Sequence, residues 1–265
     1  MNKANMESTI QALIGSEDDY FNAGSHNSKI LAGEMSVTPK FESLASGCVL
    51  HSIQSNIINK NFENWLSDVE IEFRKIGAPL CRFYFSQQSV VQNKILIDRG
   101  YEKVTEVGLA VSLDSSKRVN TSKGELKPIL DEKGWELKKA LYKAAKLGPD
   151  GHDMKEGAYS DFEKVKCDAG YMTSFLYWKD SKLIGAVSLA TKDKFSRLKN
   201  LLVHPEYRGL GIGSEIVVAL MEEAKSQEST TFGVYAVENM NSHKLYKSCG
   251  MRDVLQHTEW SKELK

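Results

Sequence analysis

No long apolar run occurs in this sequence of 265 residues. The apolar stretch 216–221 is far shorter than a membrane span, and Glu222 and Glu223 follow it directly. The first twenty residues contain four acidic side chains and no apolar core of signal-peptide length. We therefore expect a chain without a signal peptide or membrane span, located in the cytoplasm.

Net charge is also absent, because 35 basic and 35 acidic residues cancel. A neutral chain has no long-range field to draw it onto nucleic acid or an anionic membrane, so neither partner is expected. Cysteine pairs are lacking too. Cys48, Cys81, Cys167 and Cys249 lie far apart, without the spacing of zinc sites or redox motifs. We interpret them as reduced thiols and expect no metal.

The second half of the sequence shows alternating strand and helix patterns. In order, they predict a strand at 125–130, helices at 131–146 and 159–168, strands at 173–178, 182–191 and 195–203, a helix at 213–226, a strand at 230–237, a helix at 241–249 and a strand after Gly250. Short polar connections between the three central strands indicate antiparallel hairpins. The predicted fold class is α/β of the α+β type, with a mixed, mainly antiparallel sheet flanked by helices.

The first half repeats the end of this order. Its patterns predict a helix at 61–75, a strand at 80–85, a helix at 90–98 and a strand at 101–111. Gly100 and Gly250 each separate a helix from a strand and lie 150 positions apart. Chance is one explanation, since helix-terminating glycines are common. The other is an internal duplication, with tandem domains at 1–118 and 119–265 joined through the polar stretch 114–124.

A glycine-rich turn is the most specific feature. An apolar strand ends at Val203, a bend follows at Pro205, and Gly209, Gly211 and Gly213 then open an amphipathic helix. Glycines let successive amides point into one concavity, and the positive end of the helix dipole favours a diphosphate there. A Walker loop needs a lysine after its last glycine, and a dinucleotide fingerprint needs another glycine spacing, so both fit badly.

These residues resemble the GNAT superfamily of N-acetyltransferases. The family signature Arg/Gln-x-x-Gly-x-Gly/Ala is matched at 208–213, and the Leu-x-Val-x-Pro strand end that precedes it is matched at 201–205. A second family motif, Asn-x-x-Ala-x-x-Leu-Tyr-x-x-x-Gly-Phe, is matched at 239–251, with Ser242 in place of Ala and Met251 in place of Phe. The resemblance covers about residues 120–260.

The resemblance implies an N-acetyltransferase that moves the acetyl group of acetyl-CoA, its cosubstrate, to a primary amine by direct attack on the thioester. The residues implied to bind the coenzyme are Leu201, Leu202 and Val203 along the pantetheine arm, and Arg208, Gly209, Leu210, Gly211, Ile212, Gly213 and Ser214 around the pyrophosphate. Asn239 is implied to hydrogen-bond the pantetheine, and Tyr246 to donate a proton to the departing thiolate.

Several points stay open. No general base is assigned, because Lys199 occupies a position where many family members carry a carboxylate. The first copy has no glycine at 58–63, the counterpart of the glycine turn, which predicts a degenerate partner domain. The acidic stretch 147–157 is a candidate acceptor loop for a cationic amine. Alternatives are a non-catalytic acyl-CoA-binding module and a transferase with another acyl donor; a monomer and a homodimer are both possible.

Overall fold

The structure, a computed structural model, describes residues 3–24, 27–31, 34–38, 49–53, 62–75, 80–85, 90–113, 124–145 and 158–264. The helices are α1 (Lys3–Asn22), α2 (Phe62–Lys75), α3 (Val90–Asp98), α4 (Glu132–Ala145), α5 (Ala158–Asp168), α6 (Ile212–Ser226) and α7 (Asn241–Ser248). The strands are β1 (Asn27–Leu31), β2 (Glu34–Thr38), β3 (Val49–Ile53), β4 (Leu80–Phe85), β5 (Glu102–Ser112), β6 (Glu125–Pro128), β7 (Met172–Lys179), β8 (Lys182–Lys192), β9 (Phe195–Val203), β10 (Thr231–Val237) and β11 (Arg252–Glu263). None of the described helices is long and apolar enough to cross a membrane.

Contacts divide the chain into two units that are each discontinuous in sequence. The first unit contains Met1–Ser16 and Gly108–Val254, and the second contains Glu17–Val107 and Leu255–Lys265. The predicted domains, in contrast, are contiguous. Their boundary between residues 118 and 119 lies outside the described residues and stays a prediction.

The first unit contains a mainly antiparallel sheet in the order β6-β7-β8-β9-β10, followed by the end of β5. Strands β6 to β9 pair antiparallel, whereas β10 runs parallel to β9. A two-residue hairpin joins β7 to β8, and both of its residues, Asp180 (φ 50°) and Ser181 (φ 60°), adopt the left-handed conformation that such a turn requires. The fold class predicted from the sequence is confirmed in this unit.

The second unit contains strands in the order β1-β2-β3-β4-β11-β5. Strand β3 runs parallel to β4, and β11 pairs antiparallel with β4 from Thr258↔Phe85 to Glu263↔Leu80. Its core is an aromatic cluster in which Trp65 and Tyr101 lie against Phe83, with ring centroids 5.7 and 5.1 Å away. Trp260 of β11 is fully buried in the same cluster.

The order of elements repeats with an offset of about 150 residues. The series α2-β4-α3-β5 begins at Phe62, and the series α6-β10-α7-β11 begins at Ile212. Gly100 (φ 80°) and Gly250 (φ 89°) end the third element of each series in the left-handed conformation. This repetition is what an internal duplication predicts. The last strand of each series lies with the other series: β11 pairs with β4, and β5 lies beside β10.

The elements predicted from the sequence are all present, with ends within two residues of those observed. Helix α1 and strands β1 to β3 were not predicted. Helix α1 has no charged residue of the favourable sign in either terminal turn and only a weak apolar face, so the usual start and stop signals are missing. The candidate acceptor loop at 147–157 lies outside the described residues.

The exchange of the last strand makes a prediction about stability. Replacing Trp260 by Ala removes a fully buried ring from the second unit and should lower the free energy of unfolding by about 3–5 kcal/mol. Glu263→Ala, on the exposed end of the same strand, should change it by less than about 0.5 kcal/mol. Urea denaturation checks both values. Equal stability of the two variants would contradict the assignment of β11 to this core.

Candidate functional site

Strand β9 separates from its parallel neighbour halfway along its length. The ladder between β9 and β10 runs through three residue pairs, from Phe195↔Thr231 to Arg197↔Gly233. Beyond that point both strands continue, β9 to Val203 and β10 to Val237, with no further pair between them in the described structure. The backbone edges of the last halves of β9 and β10 therefore border a gap inside the sheet.

A β-bulge at Asn200 accompanies this separation. Asn200 has a left-handed backbone (φ 56°), and the register between β8 and β9 shifts between Ala186 and Ser188. A bulge inserts one extra residue, bends its strand and increases the local twist. The bend turns the end of β9 away from its partner. We attribute the gap to this bulge.

The side chain of Asn200 is anchored to a buried ion pair. Its Nδ2 donates to Glu163 Oε1 at 2.7 Å, and Lys138 Nζ donates to the same oxygen at 2.7 Å. The side chains of Lys138 and Glu163 are both 0% exposed. The Asn200 bond is therefore charge-assisted and shielded from water, and it opposes the backbone strain of a left-handed asparagine.

Hydroxyl groups complete the partners of this ion pair. Ser188 Oγ donates to Glu163 Oε1 at 3.0 Å, and Tyr142 Oη donates to Oε2 at 2.8 Å. Lys138 Nζ also donates to Ser174 and Ser188. The carboxylate thus accepts four hydrogen bonds and has no exposure to solvent, which makes it unsuited to deprotonating an incoming amine. Its role is to fix the bulge.

The predicted glycine turn follows β9 directly. The His204 amide donates to the Ile184 carbonyl at 2.9 Å, which holds the end of the strand. A short 3-10 helix, Pro205–Tyr207, makes the bend, and the Arg208 guanidinium donates through Nε to the Val203 carbonyl at 3.1 Å. Arg208 itself is exposed.

The first two glycines of the turn adopt the backbone that an amide concavity needs. Gly209 (φ 76°) and Gly211 (φ 80°) are left-handed, and a Cβ on either would meet no atom within 4 Å. Gly211 is the N-cap of α6 and supplies no side-chain cap. The amides of the first helical turn therefore lack intrahelical acceptors and combine with the positive end of the helix dipole. This arrangement can bind a diphosphate.

The third glycine serves a different purpose. A Cβ on Gly213 would lie 2.5 Å from Leu245 Cδ1, the end of a flexible side chain on α7, so a larger residue would require Leu245 to shift. Sequence reasoning assigned Gly213 to the phosphate concavity together with the other two. Its backbone amide still belongs to the first turn of α6, but the residue type is explained by helix packing.

The two predicted residues of the second motif lie around α7. Asn239, in the connection from β10, is exposed and left-handed (φ 64°). Tyr246 is only 5% exposed, and burial raises the pKa of its hydroxyl well above the ordinary value. The phenol therefore keeps its proton at neutral pH, which a proton donor requires. The Cys249 thiol also has a pKa raised by burial.

Sequence reasoning missed the polar groups that fix the site. Lys138, Glu163 and Asn200 are distant in sequence and carry no recognisable spacing.

Three cations that the sequence left unassigned lie on α5 and β9. Burial and the neighbouring Lys199 lower the pKa of Lys166 to about 7, and Arg197 is 1% exposed with its guanidinium 4.8 Å from the Tyr235 ring centroid. Lys199 therefore lies near a second lysine.

The buried ion pair gives a stability prediction. Lys138→Met leaves the Glu163 carboxylate buried without its cation and should lower the free energy of unfolding by about 3–5 kcal/mol. Lys139→Met, one position further along the same helix, is the control and should change stability by less than about 0.5 kcal/mol. Urea denaturation of both variants tests this. A Lys138→Met protein as stable as the wild type would show that the pair is not what holds the bulge.

Comparison with known proteins agrees with this geometry. The model of the Acetyltransferase (GNAT) family matches residues 139–251. The uncharacterized N-acetyltransferase YobR of Bacillus subtilis is 27% identical over 204 residues, which cover 72% of this chain and 76% of that protein. The thialysine N-epsilon-acetyltransferase of Sus scrofa is 36% identical over 64 residues, 24% of this chain and 38% of that protein.

Among solved structures, a GCN5-related N-acetyltransferase from Kribbella flavida superposes with a TM-score of 0.63 and 10% identity, over 98% of this chain and 94% of that chain. At that identity the likeness concerns the fold alone. The family match, in contrast, includes the bulged strand, the glycine turn and α7. The C-terminal half of the chain therefore contains a domain of the GNAT family of acetyltransferases, at residues 139–251.

Proposed function

We propose that this chain transfers the acetyl group of acetyl-CoA to a primary amine, with the coenzyme bound at the gap between β9 and β10. The observation that carries the proposal is the gap itself, opened by the Asn200 bulge and followed directly by the glycine turn. A pantetheine arm has amide groups that can hydrogen-bond an exposed strand edge in the manner of an added strand. Leu201, Leu202 and Val203 form that edge.

The diphosphate would lie at the start of α6. Gly209 and Gly211 leave open space there, and the amides of residues 212–214 supply donors without a competing side-chain cap. Arg208 would add a positive charge at the rim. Of the residues that the sequence assigned to this role, Arg208, Gly209, Leu210 and Gly211 are exposed, whereas the side chain of Ile212 and Gly213 are buried.

The chemistry follows from the acyl group. The amine nitrogen attacks the thioester carbonyl carbon, a C–N bond forms, the C–S bond breaks, and the thiolate leaves. A backbone amide, assigned to Val203, would stabilise the negative charge that develops on the carbonyl oxygen. Tyr246 would give its proton to the thiolate, and the proton lost by the amine would restore the phenol through water. No side chain is assigned as general base.

The amine class is supported by the name of one relative. Thialysine carries its acceptor nitrogen on a side chain, and the porcine enzyme is named for acetylating that position. The match spans only 38% of that protein, so it supports a primary amine and not a particular acceptor. The cytoplasmic location and the choice between monomer and homodimer stay predictions.

A single acyl-CoA site per chain is part of the proposal. In the second unit the parallel strands β3 and β4 pair at Leu50↔Phe83 and again, after a register shift, at Ile53↔Phe85, the last described residues of both strands. Phe85 corresponds to Tyr235 by the offset of 150, and β10 has already left β9 at that position. We therefore expect no pantetheine to enter between β3 and β4, and the N-terminal copy has no glycine at the position of the turn.

A second candidate function is a non-catalytic acyl-CoA-binding module. The burial of Tyr246 favours it, because a proton donor must reach the sulfur atom. The two functions are separated by consumption of acetyl-CoA in the presence of a panel of amines, including lysine-like, amino-sugar and peptide acceptors. Amine-dependent release of coenzyme A supports the transferase. Tight binding of coenzyme A without release for any amine supports the binding module.

The phosphate concavity can be tested with a matched pair of variants. Gly211→Asp places a negative charge at the open mouth and should raise the Kd for coenzyme A by about 100-fold. Gly211→Asn has the same shape, no charge and an equal tolerance of the left-handed backbone, so it should raise Kd by less than about tenfold. Calorimetry gives both constants. Equal affinity in the wild type and the Asp variant would show that the diphosphate does not bind at this turn.

The proton donor has its own test. Tyr246→Phe should lower kcat by about 100-fold with little change in the KM for acetyl-CoA, because it removes the acid and keeps the ring. Since burial raises the tyrosine pKa, the hydroxyl stays protonated, and the loss should be equal at about pH 7 and about pH 9. Tyr84→Phe, in the second unit, is the control and should keep its kcat. Normal turnover of Tyr246→Phe would show that Tyr246 is not the proton donor.

A further inference from the structure

We propose that His243 is a positioning residue for the acyl-CoA, acting through the turn that presents Asn239. The proposal rests on the proposed function, because it concerns the same binding site. It adds a residue that no motif of the chain singles out. The observation behind it is a hydrogen-bonded chain that runs from the Asn239 backbone through His243 to the start of β11.

The chain of contacts is short and directional. The Asn239 amide donates to His243 Nδ1 at 3.1 Å, and His243 Nε2 lies 2.9 Å from Asp253 Oδ1. Lys247 Nζ donates to Asp253 Oδ2 at 3.0 Å. The His243 side chain is 8% exposed, whereas the Asp253 and Lys247 side chains are 42% and 51% exposed. Both ring nitrogens are in use.

The contacts fix the tautomer of the imidazole. Since Nδ1 accepts a hydrogen bond from a backbone amide, it carries no proton, and the proton of the neutral ring is on Nε2. Nε2 then donates to Asp253. The hydrogen bond from His243, together with Lys247, holds the pKa of the Asp253 carboxyl below its ordinary value, which keeps it an ionised acceptor. Asp253 thus orients the ring so that Nδ1 faces the Asn239 amide.

The turn that His243 holds lies at the mouth of the gap. Asn239 follows the end of β10 by two residues, and its backbone is left-handed (φ 64°), a conformation that asparagine adopts more readily than most residues. Its side chain is exposed, as are Val237 and Met240 on either side. A fixed backbone at this position would hold the side-chain amide in place for a pantetheine. Less conformational freedom would then be lost on binding.

His243 also lies in the first turn of α7. The N-cap of α7 is Met240, which makes no side-chain capping bond. A purely structural role would therefore show as a loss of stability alone. A positioning role requires that the affinity for coenzyme A depend on the hydrogen bond to Nδ1, even between variants of equal stability.

Two conservative variants separate the contacts. In His243→Asn the amide oxygen can occupy the place of Nδ1 and accept from the Asn239 amide, whereas in His243→Gln the side-chain amide reaches the place of Nε2 and keeps only the Asp253 contact. The Asn variant should bind coenzyme A within about twofold of the wild type. The Gln variant should bind it about fivefold to tenfold more weakly, with kcat at saturation nearly unchanged. Calorimetry with coenzyme A and steady-state kinetics give these values.

The melting temperature of each variant is measured alongside. Weaker binding in the Gln variant with a melting temperature equal to that of the Asn variant supports positioning. Equal affinity in both variants, or losses of affinity that follow the melting temperature instead of the Nδ1 contact, overturns it. If the wild type itself does not bind coenzyme A, the proposed function fails first and this inference with it, so the two failures are distinguishable.

Discussion

The hydrogen bond between the Asn200 amide and the Glu163 carboxylate supports the geometry of the whole site. It holds a non-glycine residue in a left-handed conformation inside a strand, where an extended backbone is preferred. The bulge that results bends β9 away from β10, and the separated edges make room for an extended ligand. Because the carboxylate is neutralised by buried Lys138, the bond is retained without an exposed charge. Helices α4 and α5 thus influence the shape of the gap through the buried side chains of Lys138 and Glu163.

The two halves of the chain show what this constraint contributes. Both have the order helix, strand, helix, strand with nearly the same spacing, and in both the first helix of that series connects a parallel pair of strands. In the C-terminal copy the pair separates and a left-handed glycine turn follows. In the N-terminal copy the pair stays joined through Ile53 and Phe85. The same order of elements therefore accompanies two different surfaces, and the local backbone at the strand end makes the difference.

The sequence predicted the elements of the C-terminal half because apolar periodicity, hairpin residues and helix-terminating glycines are local signals. It also predicted the glycine turn, where Gly209 and Gly211 have the expected backbone. It did not predict β1 to β3, whose strands are short. Nor did it find the four partners of Glu163, which come from three other elements and are brought together only by folding. Gly213 shows a further limit, since one residue type can serve either a ligand or the packing of two helices.

Amide hydrogen exchange with and without saturating coenzyme A tests the central claim most directly. The account predicts slower exchange in the presence of the ligand at residues 198–203 and 209–214, where the separated strand edge and the helix start would gain hydrogen-bond partners. It predicts no change at residues 49–53 and 80–85, the corresponding pair in the N-terminal copy. Protection of the N-terminal pair, or unchanged exchange along β9 when coenzyme A is bound, would contradict it.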